Sequence, residues 1–267
     1  MFGMLKAEFY KLFTKKSFYV CALILMVIAG ATVWGTESLL CARWGIESLD
    51  LKRLGYTGWS VFNVGLDNLP ILCSIFSSIF VCSEFSSGMT KSLVIRGKSR
   101  VVIYLSKLIS SMVVPVVYSL LTVATAYSVG SYLWGAGTWS DKYVNSLLIP
   151  MGMFILLQMI YQSMFVMFGY VFMSSGWTTA INFGTASGLL PGLIVAGISY
   201  VATNWFGVSR SVAYSMTDYW IGSYGSIHAE EWPYEQDALN KIIWIMIAYL
   251  IVPTVIGMVV FCKREIK

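Results

Sequence analysis

Apolar residues in this 267-residue chain come in long blocks separated by short polar stretches, not in residue-by-residue alternation. A helix rises about 1.5 Å per residue, so about 20 mostly apolar residues cross a hydrocarbon layer. Six runs meet that requirement: Phe18–Thr36, Leu66–Ser83, Leu108–Leu133, Leu147–Met173, Ala180–Val201 and Ile242–Cys262. None shows the two-residue period of a half-buried strand, and an open sheet would leave backbone groups unpaired in lipid, so all six are predicted to be helices. The start of the second run, among Val64, Gly65, Leu66 and Asp67, is set by a charge and not by a capping residue.

Ahead of the first run, residues 1–16 have a helical period. On a helical wheel Phe2, Leu5, Phe9, Leu12 and Phe13 share one arc, with Glu8, Lys11 and Lys15 opposite. This predicts an interfacial helix lying on the membrane surface. A basic flank that only orients the first span is the plainer reading. The segment is not expected to be a cleaved signal, since the run behind it is long enough to span and no small-residue cleavage pattern closes it. The expected fold is therefore an all-α membrane protein, an amphipathic amino-terminal helix followed by six transmembrane helices.

Composition agrees. The chain is 57% apolar and only 12% charged, against about a quarter charged in a typical soluble domain. No charged residue occurs between Lys142 and Arg210. A soluble globule is excluded, and the longest polar stretch, 203–241, is too short and too aromatic to bury a core of its own. Any energy source that needs a folded ATPase is then expected in another subunit.

With six spans both termini share a side. Lys6, Lys11, Lys15, Lys16, Lys91, Arg96, Lys98, Arg100, Lys107, Lys263, Arg264 and Lys267 fall on the first side, and Arg43, Lys52, Arg53, Lys142, Arg210 and Lys241 on the other. Twelve bases against six predict that both termini are cytoplasmic. The location expected is a cell membrane, spanned several times, in a bacterial plasma membrane.

Candidate chemistry is sparse. Ser92–Ser99 ends like a phosphate-binding loop, but Ser92 stands where the first glycine is needed and no strand precedes it, so nucleotide binding by this chain is not expected. His228 is the only imidazole and sits beside Glu230 and Glu231 in the outer segment, away from any span, which leaves nothing from which to build a histidine triad or a multi-histidine zinc site. Neither catalytic nor metal-ligating residues are expected. Cys21, Cys41, Cys73, Cys82 and Cys262 are scattered and imply no disulfide framework.

The spans as drawn contain no charged residue except Asp67 at an edge, and uncharged polar groups take their place. Gln158 and Gln162 lie four apart on one helical face, and Asn182, Thr185 and Ser187 lie in the fifth span. These serve either as hydrogen bonds between helices or as contacts to cargo. Gly184, Gly188 and Gly192, also four apart, predict a smooth groove for a second helix, within the chain or at a dimer interface. In the outer segment Tyr214, Tyr219, Trp220, Tyr224, Trp232 and Tyr234 favour the headgroup zone, so part of it is expected to lie on or re-enter the outer leaflet; a solvated lid is the other reading.

The most informative stretch is the connector at 84–107. It opens with Glu84 and Phe85, holds Gly88, Lys91, Arg96, Lys98 and Arg100, and ends with Lys107 at the third span. A positive loop on anionic lipid accounts for the bases at about 1 kcal/mol each, but not for Glu84 or Gly88. An acid and an aromatic after the second span, a nearby glycine, Arg-x-x-x-Arg and a lysine entering the third span resemble the permease subunits of ABC-2 type ABC transporters, including bacterial multidrug and antimicrobial-peptide immunity permeases. The Lys-rich amino-terminal helix with Glu8, the six spans, the large outer segment and the basic tail Lys263–Lys267 agree, though Gly88-Met89-Thr90 replaces the Gly-Thr expected there.

That resemblance implies a single permease domain over 1–267. It implies that the connector and the amino-terminal helix dock on a separate ABC ATPase, with Glu84, Phe85, Gly88, Lys91, Arg96, Lys98 and Arg100 touching or flanking it. ATP and magnesium would be bound in that partner, and no cofactor is expected in this chain. Two permeases, identical or related, would form the pathway, within membrane lipid and without nucleic acid. Uncharged walls predict an amphiphilic cargo such as a peptide antibiotic, a drug or a lipid, and export as its direction. An ion-coupled carrier or channel is the alternative, and it requires charges or broken helices around a wet cavity. An intramembrane enzyme requires nucleophiles, bases or metal ligands at membrane depth.

Overall fold

The computed structural model describes residues 2–44, 66–137, 148–207 and 236–264. Most of the aromatic outer segment, including His228, the Glu230–Glu231 pair and its six tyrosine and tryptophan rings from Tyr214 to Tyr234, lies outside the described residues, as do Lys52, Arg53, Lys142 and Arg210. Helices α1 (Phe2–Thr14) and α2 (Lys16–Trp44) are followed by a single 3-10 turn at Leu66–Asn68 that leads into α3 (Leu69–Ser86). Then come α4 (Met89–Ile95), α5 (Arg100–Trp134), α6 (Ile149–Phe172), α7 (Ser175–Ala186), α8 (Leu189–Phe206) and α9 (Gln236–Lys263). No strand occurs among the described residues.

Among the described residues five single helices are long and apolar enough to span a membrane: Lys16–Thr36, Leu66–Ser86, Arg100–Trp134, Met151–Phe172 and Asn240–Lys263. The helices α3 and α6 run through the middle, with α2 and α5 on one flank and α9 along α6 on the other. Phe18, Leu25, Phe76, Phe80 and Tyr118 form one buried cluster, and Tyr104, Val166, Tyr170 and Phe261 a second. Close packing at the centre depends on Gly169 of α6, where a Cβ would stand 2.7 Å from Val81 Cγ1 of α3. Outward faces of α2 and α9 are apolar, with Leu23, Val27, Ile251 and Val252 exposed. A helix whose outside is apolar is suited to lipid.

The fifth run differs from expectation. It is not one straight helix but two, α7 and α8, bent by 69°, which together are long and apolar enough for one broken span. Ser187 N–H bonds Phe183 O at 2.9 Å and Gly188 N–H bonds Thr185 O at 3.2 Å, closing α7 with Gly188 at φ 76°. This is a left-handed helix stop of the kind glycine makes readily. Three residues on, Pro191 lies in the first turn of α8, where its missing N–H is not needed. Gly184, Gly188 and Gly192 therefore do not line one face of one helix. Gly184 closes on Leu190 across the bend, whereas a Cβ at Gly188 or Gly192 would meet nothing within 4 Å.

Helix α1 turns its polar arc inward. Phe2, at 89% exposure, points away from the bundle and Phe13 lies edge-on to Phe18 at its margin, while Glu8 and Leu12 are buried, Phe9 packs on the core, and Lys11 and Lys15 are half-buried. The polar arc thus faces protein, and only Leu12 of the apolar arc is fully buried. The fourth run matches α6, but the third begins earlier, so that Lys107 lies two turns inside α5.

Replacing Gly188 by alanine is expected to destabilise the protein by about 1–2 kcal/mol, the cost of a left-handed L-residue. Gly192→Ala, inside a helix with open space around it, is expected to stabilise by about 0.5–1 kcal/mol. Thermal unfolding in detergent checks the opposite signs, and equal destabilisation by both would restore the groove.

Candidate functional site

One end of the bundle, the basal end, carries α1, α4 and the last turn of α9. Three helices bring charge together there. Glu84 sits in the last turn of α3, Glu8 and Lys11 lie one turn apart on α1, and Lys107 comes from α5. Lys11 Nζ donates to Glu8 Oε1 at 2.6 Å and to Glu84 Oε1 at 3.0 Å. Lys107 Nζ donates to Glu84 Oε1 at 2.7 Å and pairs with Glu8 Oε2 at 2.6 Å. The four side chains make a closed ring in which each lysine touches both carboxylates.

The ring is dry on three corners: Glu8 and Lys107 are 1% exposed and Glu84 4%. Ions taken out of water lose several kcal/mol of hydration each, and only close mutual pairing with hydrogen bonds returns it. Two negative and two positive charges meet that condition with no net charge. Phe80 closes one side, its ring centroid 3.8 Å from Lys107 Nζ. Lys15 lies just outside, donates to Ser83 Oγ and stands 5.2 Å from the same ring.

The two lysines nearest solvent shift in opposite directions. For Lys15, burial and then the Lys107 charge lower its pKa. Burial would also lower that of Lys11, but the hydrogen bond to Glu8 and the Glu84 charge more than offset it and raise the value. A raised lysine contributes stability that is present below its unfolded pKa and lost as pH rises through the folded one. The contribution of Lys11 is thus constant across neutral pH and disappears only in strong alkali.

The connector begins directly beyond the ring. Gly88, at φ 68°, turns the chain from α3 into α4, and Gly97, at φ 77°, turns it out again. Thr90 is buried, and Leu93 and Val94 lie against the Tyr104–Tyr170–Phe261 cluster. Lys91, Ile95, Arg96 and Lys98 face outward, Ile95 at 84% exposure. The seven connector residues predicted from sequence therefore divide. Lys91, Arg96 and Lys98 form an exposed basic rim, Gly88 is the turn, and Glu84, Phe85 and Arg100 turn into the protein. Phe85 packs edge-on against Tyr170 at 5.3 Å. Arg100 Nη1 donates to the carbonyls of Phe261, Cys262 and Arg264 at 3.0, 3.0 and 2.6 Å.

Further into the bundle Gln158, Gln162 and Asn182 are buried between α3, α6 and α7. Ser77 Oγ donates to Gln162 Oε1, and Asn182 Nδ2 donates to Ser78 Oγ at 2.9 Å and to Phe165 O at 3.2 Å. These bonds tie helix to helix. No group of three His, Cys, Asp or Glu that could hold a metal ion occurs among the described residues.

Sequence reasoning missed the ring because it ended spans at charges. It placed Glu84 and Lys107 outside the second and third spans, whereas both lie inside the long helices. Glu8, Lys11 and Lys15 at spacings of three and four were the available signal, since such residues share one helical face. Removing one partner should leave a buried charge unpaired, so Lys107→Met is expected to cost about 3–5 kcal/mol. Adding Glu84→Gln to it should cost much less than the sum of the two single changes. A double-mutant cycle by thermal unfolding measures this, and simple additivity would mean that the two groups do not interact.

A family model described as ABC-2 family transporter protein matches residues 4–186, over two thirds of the chain. The matched part runs from α1 to the bend after α7 and includes the entire ring and connector. No curated protein matches. With its apolar helices and this match, the chain belongs to the ABC-2 transporter family and is a multi-pass membrane permease, the transport subunit of such a system.

Proposed function

We propose that the chain is the membrane subunit of an ATP-driven exporter, that it docks on a separate ABC ATPase through α4 and α1, and that two permeases together form the pathway. The observation that carries this is the connector. The short helix α4 shows Ile95 and a rim of Lys91, Arg96 and Lys98 on one side, and is packed on the other against the cluster that joins α5, α6 and α9. An exposed apolar anchor within a basic rim suits a protein partner with an acidic-edged pocket. Leu93 and Val94, which a helix lying on lipid would turn toward the acyl chains, are instead taken up by the bundle.

In this reading the basal end is cytoplasmic. Closing of the ATPase pair on ATP pushes α4 and α1; the ring makes α1 move with α3 and α5, and α4 acts on the bundle through Leu93 and Val94. The polar seam of Gln158, Gln162 and Asn182 offers hydrogen bonds to cargo when the helices part, and the otherwise apolar bundle suits amphiphilic molecules such as a peptide antibiotic, a drug or a lipid. Glu84 and Lys107 do place charge within long helices, contrary to the sequence-based count. They are, however, paired in the ring at one end and do not form a chain of titratable groups across the bundle.

Affinity-tagged protein extracted from its own membrane is expected to retain an ABC ATPase in stoichiometric amount. Burying an isoleucine is worth about 1.5–3 kcal/mol, so Ile95→Glu should weaken that retention by about tenfold or more. An unchanged complex in that variant would remove α4 as the docking element. Uphill transport by vesicles that hold this chain alone would overturn the proposal as a whole.

A further inference from the structure

The residues that join the connector to the far side of the basal end are two arginines, and each sits on the carboxyl end of a helix. Arg100, the first residue of α5, directs one guanidinium nitrogen at Phe261 O, Cys262 O and Arg264 O, carbonyls at the end of α9. Arg264, the residue just after α9, directs its own Nη1 at Val171 O in the last turn of α6, at 2.6 Å. Terminal carbonyls have no partner within their helix and carry the negative end of its dipole, so a guanidinium there makes charge-assisted bonds.

The two contacts are in series. Arg100 also lies 6.0 Å from the ring of Phe261, which packs on Tyr170 at 4.8 Å. Val171 is two residues before Met173, whose φ of 52° makes the α6–α7 corner a left-handed one without glycine. Such a conformation is uncommon for a bulky residue and persists only when its surroundings hold it. Met173 is held by its N–H on Gly169 O and by packing on the Tyr104–Tyr170–Phe261 cluster, and Arg264 bonds the helical turn that leads into it. The chain of contacts thus runs from the end of the connector to the last turn of α9, and from there to the corner that aims α7 and the bent α8.

We propose that Arg100 and Arg264 are positioning residues that carry movement of the connector, first to the end of α9 and then to the α6–α7 corner. The inference rests on the docking of α4 on an ATPase and adds a route within this chain. Each arginine makes its contacts through a single nitrogen, so lysine, with three donors on one nitrogen, keeps both the charge and the means to bond the same carbonyls.

The test uses the permease with its ATPase, comparing hydrogen exchange with and without ATP plus orthovanadate. In the unaltered complex, nucleotide is expected to change exchange in peptides covering 87–99, 258–264 and 170–176. In Arg100→Gln the change at 87–99 should remain while those at 258–264 and 170–176 are lost. In Arg264→Gln only the change at 170–176 should be lost, and Arg100→Lys, which keeps a charged donor at the end of α9, should retain the changes that Arg100→Gln loses.

If the arginines served stability alone, the variants would exchange faster in both states and keep the nucleotide-dependent difference, which would overturn the relay. The relay also fails if nucleotide changes 87–99 but not 258–264 in the unaltered complex. No change at 87–99 would overturn the docking of α4 itself, and the relay with it.

Discussion

Four paired charges at the edge of an apolar bundle, three of them buried, constrain everything around them. Glu8, Glu84 and Lys107 can be dry only while each touches its opposites, and with half-buried Lys11 the four come from three helices. The ring therefore fixes where α1 lies, how far α3 extends and at what depth α5 enters, with little freedom in any of the three. Hydrophobic packing alone would tolerate sliding of such helices along one another, because one aliphatic contact replaces another at small cost. A closed set of ion pairs does not. The ring is thus better understood as a device for register than as a source of stability, since the hydration lost offsets most of the attraction gained.

The same requirement explains why α1 is turned against its hydrophobic arc. Amphipathic patterning assumes that the polar face seeks water. Here Lys107 and Glu84 offer that face a better partner than water does, and Phe2 is left on the outside, where a lipid surface suits it. The expectation of a surface helix and the observed buried carboxylate are therefore compatible: the helix meets protein with its charges, Phe9 and Leu12, and leaves Phe2 exposed.

The spans were legible because continuous apolar runs have one dominant physical reading, and α2, α3, α5, α6 and α9 follow it. What was not legible depended on pairing between distant positions. Lys107 and Glu84 are 23 residues apart and Glu84 and Lys11 are 73 apart, and a lone charge next to an apolar run is evidence for a boundary unless its partner is known. The bend after α7 was written more plainly, in Ser187, Gly188 and Pro191. A spacing of four drew Gly188 into a stripe, although glycine followed by proline three residues later is equally the mark of one helix ending and another beginning. Of the candidate site, the exposed rim of Lys91, Arg96 and Lys98 was readable from sequence. The inward roles of Glu84, Phe85 and Arg100 were not, because nothing local distinguishes a basic residue facing water from one facing a helix end.

Stiffness is distributed unevenly as a result. At the basal end α1, α3 and α5 are joined by ion pairs, and α5, α6 and α9 by arginine caps and the cluster of Phe85, Tyr104, Tyr170 and Phe261. Beyond the bend α8 packs chiefly on α7, and Leu189, Leu193, Ile194, Tyr200 and Trp205 are exposed along it. A displacement at the tied end that separated the ion pairs would leave dry charges uncompensated, so that end moves as a unit. At Gly188 two short helices meet in a left-handed turn where an added Cβ would touch nothing, with Leu190 closed on Gly184 across the bend. Rigid helices joined by one permissive turn convert a small shift at one end into a swing at the other, and this chain has its charges at the first place and its glycine at the second.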